Sequence, residues 1–155
     1  MPEYRRKGRF KLIKLTLLPH KIGYMIHVKV FLFNPLQENT YLLYNETGEC
    51  IIFDPGCYYV DEKDQVARFI EDKGLKPVLL VNTHCHLDHV FGNKFIAEEF
   101  GLVLHIHQKE KALLEYAPAS ALMWNVPFDN YQGELKFLEP GKFLRLGEDR
   151  LEILF

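Results

Sequence analysis

The stretch that decides the fold is Val78-Leu79-Leu80-Val81-Asn82-Thr83-His84-Cys85-His86-Leu87-Asp88-His89-Val90-Phe91. Its first four residues form a short, continuous apolar run led in by Pro77, the pattern of a strand buried on both faces. From His89 to Phe100 the apolar residues Phe91, Phe95, Ile96 and Phe100 recur at helical spacing, and Gly101 supplies the stop. Between strand and helix stand His84, His86, Asp88 and His89, where a loop presents side chains from a rigid scaffold.

That cluster has the chemistry of a metal site. Imidazole nitrogen and carboxylate oxygen bind zinc and related ions at about 2.0–2.2 Å. His84 and His86, two apart in extended chain, point the same way and can share one ion. Asp88 and His89, offset by the turn into the helix, can serve a second. Two metals roughly 3.5–4 Å apart can hold a bridging hydroxide and clamp both oxygens of a displacement. The helix N-terminus favours the Asp88 carboxylate. Alternation turns Cys85 away from His84 and His86. The other histidines read as structural or surface residues: His20 and His27 singly, and His105 with His107 on one face of a strand.

Outward from the cluster, His27–Phe33, Thr40–Tyr44 and Cys50–Phe53 read as strands separated by Asn34-Pro35 and by a turn at Gly48, an antiparallel meander. Asp61 is the expected cap of a helix that buries Val66, Phe69 and Ile70 and stops at Gly74. Downstream, the expectations are a strand over Leu102–Ile106, a helix over Gln108–Tyr116 and a short helix over Ala119–Trp124. A loop over Pro127–Gly133 and strands over Phe143–Leu146 and Leu151–Phe155, joined by a turn at residues 147–150, follow. Strand–helix units in series predict a sheet with helices packed on it.

With 155 residues, 48% apolar and 26% charged, the chain has the composition of a globular domain, not of a disordered or collagen-like one. It has no uncharged apolar run long enough for a membrane helix. Residues 1–24 carry seven Lys/Arg against Glu3 alone, whereas the rest is net acidic. The expected organisation is therefore a basic extension over 1–24 and one domain over 25–155. The acidic body makes nucleic acid a poor ligand. Cys50, Cys57 and Cys85, an odd number without framework spacing, favour a reducing, cytoplasmic setting.

His84-x-His86-x-Asp88-His89 resembles the signature of the metallo-β-lactamase superfamily. Phe53-Asp54-Pro55-Gly56 and Asn34-Pro35-Leu36-Gln37-Glu38-Asn39-Thr40-Tyr41 are similar to its glyoxalase II-like branch, and the resemblance runs from about Met25 to the end. It implies an α/β fold, the N-terminal part of an αββα sandwich with mixed sheets and helices outside. It assigns His84 and His86 to a first metal and Asp88 and His89 to a second, with zinc expected and iron or manganese as alternatives. Asp54 would orient a ligand histidine through a hydrogen bond. The family also uses a third histidine for the first metal, a bridging Asp and a final histidine. No histidine follows His107, and His105, His107, Asp129 and Glu134 do not match the pattern.

The expectation is the N-terminal part of a binuclear hydrolase of the hydroxyacylglutathione hydrolase type. It would act on a small-molecule thioester or ester through a metal-bridged hydroxide, with Asp88 holding the nucleophile. The alternatives are an iron-dependent sulfur dioxygenase of the same fold, a short form completed by dimerisation, a non-catalytic metal-binding fragment, and a nucleic-acid-binding module using residues 1–24. Neither nucleic acid nor membrane is an expected partner, and the oligomeric state is open.

Overall fold

Strands that alternate inward and outward residues come first. In the computed structural model, which describes residues 25–154, β1 (His27–Phe33) pairs antiparallel with β2 (Glu38–Tyr44), and β2 with β3 (Glu49–Phe53). This is the expected meander. Residues 1–24, with His20 and the basic extension, lie outside the described residues, as does Phe155.

After β3 the pairing turns parallel. β4 (Lys76–Val81), β5 (Leu104–His107) and β6 (Leu135–Leu138) extend the sheet in chain order, giving one six-stranded mixed sheet. Each parallel step needs a crossover, and helices fill them. These are α1 (Val60–Asp72), then α2 (Leu87–Val90) with α3 (Asn93–Phe100), then α4 (Lys111–Met123). Their apolar faces meet one side of the sheet, where Val66, Ile70, Val90, Ile96, Leu114 and Ala117 join Leu42, Cys50, Ile52, Leu80 and Ile106 in one core.

The other side of the sheet carries a second core. Leu43, Ile51, Phe53 and Val81 pack against Leu144, Leu146 and Leu151 of a hairpin formed by β7 (Phe143–Leu146) and β8 (Asp149–Glu152), and against Ile153 just after it. Leu80 therefore faces the helices and Val81 the hairpin, so the end of β4 is buried on both sides, as its apolar run predicts. Asn45 pins the hairpin by donating Nδ2 to the Leu146 carbonyl at 2.9 Å and to Asp149 Oδ2 at 2.7 Å. Helix layer, mixed sheet and hairpin are the first three layers of the expected αββα order. Among the described residues no helix is long and apolar enough to cross a membrane.

Several element boundaries differ from the sequence reading. Asp61 does not cap α1. The cap is Tyr59, and Glu62 reaches back to accept from the Tyr58 and Tyr59 N–H groups at 2.7 and 3.0 Å. The helix expected over His89–Phe100 breaks into α2 and α3 at Gly92. There the backbone closes on Pro55, with Gly92 N–H to Pro55 O at 2.7 Å, and a Cβ would lie 2.4 Å from Cys57 Sγ. The two helices expected on either side of Pro118 are one, α4, after a 3₁₀ turn at Gln108–Glu110. Strand β6 has no counterpart in the sequence reading. The last hairpin strand starts at Asp149 instead of Leu151, because the turn needs only Gly147 and Glu148. Gly74 and Gly101 stop their helices as expected, both at positive φ.

Candidate metal centre

The C-terminal ends of β3 and β4, adjacent parallel strands, build the site, the usual place for one in an open sheet of this kind. Asp54 follows β3 directly, and the segment from Asn82 to His89 follows β4 into α2. Asp54 takes a left-handed backbone, φ 47°, a conformation that a short polar side chain tolerates. Its carboxylate turns onto the neighbouring loop, accepting from Thr83 N at 2.7 Å, Thr83 Oγ1 at 2.5 Å and Asn82 Nδ2 at 3.4 Å.

The loop is held from all sides. Asn82, fully buried, donates Nδ2 to the His89 carbonyl at 3.0 Å and accepts at Oδ1 from Asn93 Nδ2 at 2.7 Å. Glu110 Oε2 accepts from Cys85 N at 2.9 Å. Cys85 itself is buried in the helix-side core, directed away from the metal-type donors as alternation predicts.

These supports gather His84, His86, Asp88 and His89 in one place. The His84 ring lies 4.7 Å from His86 and 4.0 Å from His89, centroid to centroid. His89 Nε2 is 3.5 Å from Asp88 Oδ2, and His89 Nδ1 is 3.4 Å from Asp54 Oδ2. One ligand-type atom from each of Asp54, His84 and His89 falls within 4.8 Å of the others. Burial holds His84 below the ordinary imidazole range; the neighbouring His89 and His86 rings lower it further, against the pull of Asp54 and Asp88. That favours the neutral ring, the form that binds metal. Three imidazoles with adjoining carboxylates are a donor set suited to zinc, iron or manganese.

His105, His107, Asp129 and Glu134 do not join the cluster. His105 Nδ1 sits against the Val103 and Leu80 carbonyls at 2.9 and 3.2 Å, and His107 accepts from Lys109 N at 3.3 Å at the start of the 3₁₀ turn. Asp129 pairs with Lys94 at 2.5 Å, and Glu134 is engaged through its backbone carbonyl by Tyr131 Oη at 2.6 Å.

The sequence reading missed Glu38 as part of the site. Its side chain is wholly buried, and Oε1 stands 3.5 Å from His89 Nδ1. Thr40 Oγ1 lies 2.9 Å from both Glu38 Oε2 and the Asp54 carbonyl and accepts from Gly56 N at 2.8 Å. Desolvation pushes the Glu38 carboxyl up to about 9, against the Thr40 hydrogen bond and helped by the nearby charges of Asp54 and Asp88. The signal was present: Glu38, Thr40 and Leu42 share strand parity, so alternation turns a carboxyl inward beside an apolar residue. Beyond His86 and Asp88 opens a cavity of about 620 Å³ walled by Leu36, Tyr58, Tyr59, Phe91 and Trp124.

Comparison with known proteins adds four findings. Residues 33–152 match the family described as Metallo-beta-lactamase superfamily. The chain is 28% identical over 131 residues to Hydroxyacylglutathione hydrolase GloC of Haemophilus influenzae, covering 83% of this chain and 60% of that protein. It is 35% identical over 77 residues to Probable metallo-hydrolase YqgX of Bacillus subtilis, covering 50% of this chain and 34% of that one. A crystal structure of TTHA1623 in a di-iron-bound form superposes with a TM-score of 0.66 at 29% identity, over 77% of this chain and 60% of that one. Measured by alignment, the chain spans from 34% to 60% of the length of these proteins.

Proposed function

The chain belongs to the metallo-β-lactamase superfamily, and from that premise we propose that it carries the metal-binding half of a hydrolase acting on a small-molecule thioester or ester. The observation that carries the proposal is the convergence of His84, His86 and His89 with Asp88 in the segment that follows β4. Similarity to GloC, a hydroxyacylglutathione hydrolase by name, supports the thioester class.

In this reading His84 and His86 hold one divalent ion and Asp88 and His89 the other. Zinc is the first choice; the di-iron form of TTHA1623 keeps iron in the test. Ions bound there lower the pKa of water and polarise an acyl carbonyl. The chain's own residues do the rest. Asp88, its side chain 25% exposed, presents a carboxylate that accepts a proton from the attacking water and aims it. Asp54 locks Thr83 and with it the approach to His84, and Asn34 fixes the Asp88 backbone. The apolar cavity beside His86 and Asp88 receives the uncharged part of the substrate and keeps bulk water from it. Three buried free thiols suit a reducing cytoplasm.

The test is metal analysis of the chain after loading with zinc, iron and manganese separately, together with thiol release from an acyl thioester. Stoichiometric uptake that is lost in His84→Ala/His86→Ala is the expected result. Unchanged metal content in that variant would show the motif is not the site. Iron with oxygen uptake on a persulfide would replace the hydrolase reading with the dioxygenase one.

A further inference from the structure

We propose that Glu38, rather than Asp54, is the carboxyl group that orients the His89 ring; the proposal rests on the reading of His89 as a metal ligand. Two buried polar atoms in this site lack a hydrogen-bond partner and face each other: His89 Nδ1 and Glu38 Oε1, 3.5 Å apart. One is a donor when protonated and the other an acceptor. A shift of a few tenths of an ångström joins them and satisfies both, and buried polar groups are rarely left otherwise.

Asp54 is as near, with Oδ2 3.4 Å from the same nitrogen, but its oxygens are already engaged. Thr83 donates to both of them, by N–H to Oδ1 and by hydroxyl to Oδ2, and Asn82 adds a third donor on Oδ1. Asp54 is thereby committed to the loop, whereas Glu38 Oε1 is committed to nothing.

The fold makes a slot for Glu38. Its strand partner is Phe33, its other oxygen is held 2.9 Å from Thr40 Oγ1, and Gly56 leaves room for it, since a Cβ there would lie 2.0 Å from Glu38 Oε2. With Nδ1 held from behind by Glu38, the proton is fixed on Nδ1. Nε2, on the Asp88 side, is left unprotonated and is the nitrogen that would hold an ion. Glu38 is a positioning residue, because it acts on the metal only through His89.

The experiment compares the full chain with Glu38→Gln, Glu38→Met and Asp54→Asn. It has two readouts: zinc affinity by chelator competition, and the His89 tautomer of the metal-free protein by nitrogen-15 NMR. The expected result is Nδ1–H in the wild type and Glu38→Gln, a mixed tautomer in Glu38→Met, and a zinc affinity about 10–100-fold weaker in Glu38→Met but within about 3-fold in Glu38→Gln. Asp54→Asn keeps the Nδ1–H tautomer. A wild-type tautomer in Glu38→Met, or its loss in Asp54→Asn alone, overturns the proposal. If Glu38→Met does not fold, the Nδ1 proton shift decides: it moves in Glu38→Gln, where a neutral amide replaces the carboxyl, and an unmoved shift overturns the proposal. Absence of zinc uptake by the wild type would remove the metal reading, while the tautomer would still report whether Glu38 holds the ring.

Discussion

Asn34 donates its side-chain amide to the carbonyl oxygen of Asp88 at 3.1 Å, across 54 positions of sequence. The same amide donates to the Gly56 carbonyl at 3.0 Å, and Asn34 Oδ1 accepts from Leu36 N at 3.0 Å. One side chain therefore ties the β1–β2 turn, the loop after β3 and the ligand segment together. Its backbone sits at φ 52°, which Asn, Asp and Gly tolerate. Asn34→Asp keeps that tolerance but turns an oxygen toward two carbonyls, so it lowers stability by about 1–3 kcal/mol. Asn34→Gly loses the bonds without adding repulsion and costs less. Urea midpoints read the order, and a wild-type midpoint in Asn34→Asp would show that the amide is not the donor.

Gly56 is required by its neighbours. A Cβ there would stand 2.0 Å from Glu38 Oε2 and 2.7 Å from the Asp88 carbonyl. Overpacking of this kind costs about 1–3 kcal/mol, and Gly56→Ala belongs at the upper end because one of the two obstacles is backbone. Shortening the side chain in Glu38→Ala removes the other obstacle. The double variant is therefore less destabilised than the sum of the singles, with a coupling of about 0.5–3 kcal/mol. Strict additivity in a urea-denaturation cycle would contradict the contact.

What the sequence disclosed depended on range. The strands of the meander, the β4 run, the stops at Gly74 and Gly101 and the grouping of His84, His86, Asp88 and His89 rest on local pattern, and they were legible. Strand β6 was not, because Leu135-Lys136-Phe137-Leu138 lies at the sheet edge with Lys136 and Phe137 both exposed, so no alternation marks it. The break at Gly92 comes from Pro55, far away in sequence, and Glu38 and Asn34 acquire their roles only when β1 and β2 meet the ligand loop.

Pro118 is the plainest case of a local rule overruled by a distant residue. Proline removes the N–H that would bond the Leu114 carbonyl one turn back, which is why it reads as a helix end. In the fold Asn130 Nδ2 donates to that carbonyl at 2.9 Å, and α4 continues through Pro118 to Met123. Asn130→Leu thus strands a carbonyl and lowers stability by about 1–3 kcal/mol. In a Pro118→Ala background the helix supplies its own N–H, and the same substitution costs much less. Equal costs of Asn130→Leu in the two backgrounds, measured by thermal unfolding, would sink this account.

All three thiols are buried. Burial pushes Cys50 and Cys57 up to about 12, and raises Cys85 by burial first and then by the charges of Glu110 and Asp54. Since the thiolate is the reactive form, the folded chain should release no colour from an aromatic disulfide reagent at mildly alkaline pH. Concentrated guanidinium chloride should expose all three. Rapid native reaction of even one would mean that its core opens locally.

His105 makes stability depend on pH with a definite sign. Desolvation, its leading influence, holds the ring below its ordinary value of 6.5, with Lys136 on the neighbouring strand acting in the same direction and the Val103 and Leu80 carbonyls acting against. The unfolded chain therefore binds a proton that the folded chain resists. Stability is unaffected above that value and falls as the pH drops from it toward the folded-state value. One such group contributes a slope of up to about 1.4 kcal/mol per pH unit. His84, also lowered, adds a share of its own in the metal-free protein. His105→Gln removes the first share and leaves the second, so its urea midpoint declines less steeply with acid than that of the wild type. Parallel declines in the two proteins would show that His105 titrates alike folded and unfolded.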